Sequence, residues 1–213
     1  MATYLGRPPR LSYRYCKMES ALDLSDAQLF LEGPDLDAAI ATVDVNGWNT
    51  TGELSRATWE RTYFQVSRIR EDILEIALGS AEEDTSQQAE QIRLKLDQLH
   101  RTLPAFCRVS AEEVLLRVDT LLSAPSGQGR GEGQVMRQFD AMFLICIQAS
   151  IAHTEFLLQR VLINRQGTDT KELIPISRRM LRLAMLARSK RDFFRDLYSD
   201  TVFLVSRPRS YLC

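Results

Sequence analysis

The stretch "AMFLICIQASIAH" (residues 141–153) decides the fold. It is apolar nearly all round, so a helix built from it has no face that prefers water and should be buried on most sides. Asp140 and Glu155 bracket a charge-free run of 14 residues. That run is shorter than the about 20 apolar residues a membrane-spanning helix needs. The two acids are read as the points where the helix reaches solvent. The pattern predicts a long helix from about Val135 to Asn164, closed by Gly167.

Outward from this helix the punctuation is also helical. Upstream, "SAPSGQGRGEGQ" (residues 123–134) is the clearest break, with a Gly-rich loop near 125–133. Before it, "SAEEVLLRVDTLL" starts a helix with Ser110 as cap and Glu113 three residues on, a capping box. Leu94, Leu96, Leu99 and Leu103 mark another helix, stopped by Pro104. From Ser55 to Leu78, apolar residues such as Trp59, Val66, Ile69, Ile73 and Ile76 recur at three- and four-residue steps, and Gly79 suits the C′ position. "NGWNTTGE" (residues 46–53) is a turn; its flanks do not alternate in period two, so a hairpin is rejected. "DLSDAQLFLEG" (residues 23–33) reads as a short helix capped by Ser25 and ended by Gly33 and Pro34. Pro34 then sits in the first turn of the next helix, where proline is tolerated. Downstream, "TDTKELIPISRRMLRLAMLARSKRDFFRDLY" (residues 168–198) is helical, with Pro175 in its first turn or at a kink. No strand pattern emerges. The expectation is an all-α single domain, of about seven or eight helices around a buried central helix.

Composition narrows the function classes. The chain of 213 residues is 45% hydrophobic and 26% charged, with a formal net charge of -1. Those are globular values, and a dedicated nucleic-acid binder is usually strongly basic. Four scattered cysteines, at 16, 107, 146 and 213, fit neither a disulfide framework nor a zinc site. No signal peptide follows the N-terminus, and a soluble intracellular protein is expected. The Gly-rich loop lacks the preceding strand and the Lys-Ser/Thr of a phosphate-binding loop, so it reads as a linker. No GxSxG or SxxK serine motif occurs. His100 sits near a helix end, and His153 on the buried helix reads as a packed histidine. The basic run Arg178, Arg179, Arg182, Arg188, Lys190 and Arg191 lies on an amphipathic helix, read as a solvated face or as a face for phosphates or an acidic partner. Were the scaffold to hold a small molecule, the place to look is the long helix near Cys146, Gln148 and His153.

The order of segments says more. "LGRPPRLSYRYC" (residues 5–16) is followed by "LDLSDAQLFLEG" (22–33). Next comes "LDAAIATVDVNGWNTTGELSRATWERTYFQVSRIREDILEIALG" (36–79), then "QFDAMFLICIQASIAHTEFLLQRVLINR" (138–165). Together these resemble the regulatory middle homology region of fungal zinc-cluster (Zn2Cys6) transcription factors, over about residues 5 to 191. The resemblance implies an all-helical regulatory domain in the nucleus, with the cytoplasm as alternative. Such a domain modulates transcription through protein partners or a small effector. The partner would be a full-length zinc-cluster regulator or a second copy. It implies no enzyme activity, no membrane and no specific DNA binding by this chain, because the six closely spaced cysteines of the zinc cluster are absent; no cofactor is expected. The sequence begins just before "GRPP", and its tail near 196–213 departs from the family, so a partial domain with uncovered apolar faces is expected. The alternative is a small all-α enzyme or ligand-binding protein of secondary metabolism on the same scaffold.

Overall fold

The computed structural model describes residues 12–15, 17, 19–79, 85–110, 113–114, 116 and 132–194; of 132–137 it describes the backbone alone. Five α-helices form within them, α1 (Gly33–Ile40), α2 (Arg56–Leu78), α3 (Thr85–Thr102), α4 (Glu132–Gln166) and α5 (Leu173–Ser189). No strand occurs among the described residues, so the fold is all-α.

The helix ends follow from side-chain chemistry. Pro34 occupies the first turn of α1. Ser55 caps α2 by accepting from the Thr58 N–H, and Thr58 returns the bond to the Ser55 N–H. This reciprocal pair satisfies donors the first turn would otherwise leave orphaned. At Gly167, φ is +63°, the left-handed geometry that glycine adopts without strain, and its N–H closes α4 on the Ile163 carbonyl. Gly79 ends α2 differently: its φ is -64°, so no left-handed cap forms there. Ser110 accepts from the Glu113 N–H, the expected cap; Glu113, Val114 and Leu116 are helical, and the rest of that helix lies outside the described residues. So do most of the Gly-rich loop near 125–133 and the tail near 196–213.

Two hydrophobic clusters organise the packing. In the first, Val66, Ile69, Ile73 and Ile76 of α2 meet Ala89, Ile92, Leu96 and Leu99 of α3, and Ile147, Ile151, Leu158 and Leu162 of α4. In the second, Ala141, Met142, Leu144, Ile145 and Cys146 of α4 meet Val109, Val114, Leu186, Phe193 and Phe194. Helix α4 thus packs on α2, α3 and α5, and α2 packs on α3.

Several expectations change. The described residues hold five α-helices, not seven or eight. The segment after Asp23 is a 3-10 turn (Gln28–Phe30) rather than a helix, though Ser25 and Gln28 exchange the predicted capping bonds. The rejected hairpin is partly present: Val43 and Asn49 form one isolated antiparallel bridge around the Asn46 and Gly47 turn. A helix buried at the centre is not what α4 provides, since Phe139 is 37% exposed and Gln148, Ala149 and Ser150 are half-buried. Its part from Gln138 to Gln166 is long and apolar enough by composition to cross a membrane. However, 56% of the apolar window is buried inside the protein, and core helices pass the same test.

Candidate functional site

The densest polar constellation surrounds Asp23 and Arg61. It begins with a local turn. Asp44 Oδ1 accepts from the N–H groups of Asn46 (2.9 Å) and Trp48 (2.8 Å), which curls the chain and allows Gly47 a φ of +78°. The turn drives Trp48 inward until its side chain is fully buried. The Arg61 guanidinium lies 5.0 Å from the indole centroid and donates to the carbonyls of Ala21, Asn46 and Ser20. A Cβ on residue 47 would stand 2.8 Å from Arg61 Nη2, so only glycine fits beneath the guanidinium.

Asp23, equally buried, completes the knot. Its Oδ2 accepts from Asn49 N (3.2 Å) and Nδ2 (2.6 Å); its Oδ1 accepts from Ser55 Oγ (2.8 Å) and Thr58 Oγ1 (2.7 Å). The Asp23 N–H donates to the Gly47 carbonyl. Burial pulls the Arg61 pKa down, opposed by the charges of Asp23 and Asp44. Trp48 Nε1 and Arg61 Nε are buried without a hydrogen-bond partner. Ser55 is no activated nucleophile. The carboxylate it donates to already serves three further donors, and no imidazole stands between them to take a proton.

A second constellation holds the N-terminal segment. Buried Asp72 on α2 accepts from Tyr13 Oη (2.9 Å), Arg14 Nη2 (3.2 Å) and Lys95 Nζ (2.7 Å). Arg14 also reaches Glu75 (2.6 Å), and Arg68 lies 4.6 Å from the Tyr13 ring. The arm of arginines and tyrosines is therefore laid onto a helix where it is described. Tyr13 lies against α2, whereas Tyr15 is 91% exposed. Arg70 ties α2 to α4 through Thr154 Oγ1 and the Ser150 carbonyl and hydroxyl, each at 2.9 Å.

The residues named for a ligand pocket are placed as follows. Cys146 sits in the second hydrophobic cluster, its thiol pushed up to about 11 by burial. Gln148 donates to the Cys107 carbonyl (3.2 Å), and Cys107 belongs to the first cluster, with its thiol pushed up to about 12. At about 100° per residue the two side chains leave opposite sides of α4. His153 is half-buried, its pKa lowered first by burial and then by Arg70 and Arg160. Helical geometry returns it to the side of Cys146, two turns along. Burial holds both thiols far from the thiolate form.

Asp140 was read as a solvent marker, and the structure corrects this. Its Oδ1 is buried without a partner, and burial, with Glu53 adding repulsion, raises its pKa to about 6. The neighbouring rings form a ladder: Phe139 meets Phe143 edge-on (4.1 Å), Phe143 stacks on Trp59 (5.3 Å), and Trp59 on Tyr63 (5.7 Å). Glu155 pairs with Arg179. Among the described residues, no group of three or more His, Cys, Asp or Glu is placed to hold a metal ion.

Sequence reasoning missed Asp23, Arg61 and Asp140. Asp23 lay inside a quoted motif, but nothing in its spacing announced an interior acceptor. Arg61 follows Thr58 by three residues, one helical step, a signal readable only once α2 is known to bury that face. No protein-family model, curated protein or solved structure matches the chain.

Proposed function

We propose that the chain is a regulatory and interaction module of transcription control, built like the middle homology region of fungal zinc-cluster factors. In this reading it works in the nucleus through protein contacts, with a full-length zinc-cluster regulator, a second copy or a small effector as partner. It is not an enzyme and does not itself grip DNA. One observation carries the reading. Asp23, Gly47, Trp48, Asn49, Ser55, Thr58 and Arg61 come from two of the segments on which the resemblance rests, and they bind one another. Apart from Trp48 Nε1 and Arg61 Nε, the polar side-chain groups of Asp23, Asn49, Ser55, Thr58 and Arg61 hold the N-terminal segments on α2, which favours a structural signature over a reaction centre.

The test joins two measurements. Fluorescence anisotropy against duplex DNA should give only weak, salt-sensitive binding. Tethering the chain to an unrelated DNA-binding domain should change the output of a reporter gene. Tight, sequence-specific duplex binding by the chain, or a reporter indifferent to it, contradicts the proposal.

A ligand-binding or enzymatic role is the second reading, and Asp140 favours it: a carboxyl raised to about 6 beside a partly exposed aromatic ladder is the kind of group functional sites contain. A thermal-shift screen of small aromatic acids and amines at acid and neutral pH decides it. A response lost in Asp140→Asn supports this reading, and no response in the wild-type protein removes it.

A further inference from the structure

The net charge of -1 conceals a strong segregation. Between Lys17 and Arg56 the sequence has eight carboxylates and no Lys or Arg; between Glu172 and Asp192 it has six basic residues and no Asp or Glu. The structure sets exposed apolar side chains within each territory. In the acidic one, Leu29, Phe30 and Val45 stand out from the surface, Phe30 at 85% exposure, and the carboxylates of Asp26, Glu32, Asp35 and Asp37 in the same stretch of sequence are exposed too. In the basic one, Ile174, Leu181 and Met185 share one stripe of α5 with Arg178 and Arg188, and exposed Arg182 borders it. The opposite side of α5 buries Leu183 and Leu186. Among the described residues the stripe is therefore an exposed face rather than part of the core.

Neither patch covers the other within one chain: Leu181 is 60% and Met185 62% exposed. Each nevertheless carries what the other lacks, apolar side chains rimmed by charge of the opposite sign. Such an arrangement steers encounter electrostatically and leaves apolar area to bury on contact. We infer that the exposed stripe of α5 docks on the acidic 22–45 surface of a second copy of this chain. If both contacts form at once, the pair closes on a two-fold axis; if one forms, copies add head to tail. The inference deepens the interaction reading by naming a surface and a partner.

The test is sedimentation velocity across a concentration series, with folding of every variant checked by circular dichroism. The wild-type protein should associate reversibly, and the association should weaken about tenfold between roughly 0.05 M and roughly 0.5 M salt. Arg178→Glu with Arg182→Glu should give monomers, and so should Asp35→Lys with Asp37→Lys. Mixing the two reversed proteins should restore association, because each reversed patch then faces its complement. A wild-type monomer at all concentrations, association indifferent to either reversal, or a mixture that stays monomeric overturns the inference. So does a monomer that binds vesicles of phosphatidylserine through α5, which assigns the basic stripe to a lipid surface. A monomeric result leaves the interaction module standing; that reading falls only on the reporter and duplex measurements.

Discussion

Asp23 and Gly47 are joined by the Asp23 N–H to Gly47 carbonyl bond, and each is constrained by a different force. Asp23 is buried among four donors, so it tolerates no neutral apolar replacement. Gly47 is constrained twice, by φ of +78° and by Nη2 at 2.8 Å from an added Cβ. Gly47→Ala should therefore cost about 2–3 kcal/mol, measured by urea denaturation, from backbone strain plus displacement of the arginine. Arg61→Lys should also be destabilising, because an ammonium cannot reach three carbonyls while stacking on Trp48. Asp140 supplies a pH dependence. Its folded pKa lies near 6, above the ordinary 3.8, so the folded state holds the extra proton between these values. Its contribution is thus lost as pH rises through that window. Asp140→Asn should raise stability above pH 6 by about 1–2 kcal/mol, a figure reduced for partial solvent screening, and should do little near pH 4. Melting temperatures of both proteins across this range check it. His153 acts oppositely: with its pKa lowered, its neutral form is the folded one, so stability is lost as pH falls below the ordinary 6.5.

At the scale of elements, α2 depends on its first turn and α4 on its last. Ser55→Ala removes the cap of α2 and a donor to Asp23, and should cost about 1–2 kcal/mol in urea denaturation. Gly167→Ala meets no atom within 4 Å, so its cost should be the backbone term alone, about 1 kcal/mol. These ends were legible because caps are local chemistry: Ser55, Pro34, Pro104 and Gly167 mark boundaries whatever lies around them. The period of Val66, Ile69, Ile73 and Ile76 likewise announced α2, since a buried stripe repeats with the helix. What was not legible depends on partners distant in sequence. Asp140 reads in sequence as a helix residue meeting water, whereas packing leaves it half-buried with Oδ1 closed off from solvent. Cys146 and Gln148 are close in sequence, and the helical turn sends them to opposite sides of α4. The segment after Asp23 reads as a helix from Ser25 as cap and Gly33 with Pro34 as stop, yet only the three residues Gln28–Phe30 form a 3-10 turn between those signals.

For the whole molecule, two hydrophobic clusters join α2 to α5, and the Asp23–Arg61 knot fastens the segments before α2 to that body. Of the apolar side chains that stand outside, Leu29, Phe30 and Val45 fall in the acidic territory and Ile174, Leu181 and Met185 in the basic one, and others such as Tyr15, Leu94 and Leu116 lie elsewhere. In the proposed reading the quoted motifs are architecture, and the surface carries the interactions. The direct measurement is a double-mutant cycle in urea between Asp23→Ala and Thr58→Ala. Asp23→Ala should cost about 3–4 kcal/mol, leaving buried donors unpaired and Arg61 with Asp44 alone to offset its charge. Thr58→Ala should cost about 1 kcal/mol less in that background than alone. An Asp23→Ala protein with an unchanged unfolding midpoint, or two substitutions that simply add, would contradict the account.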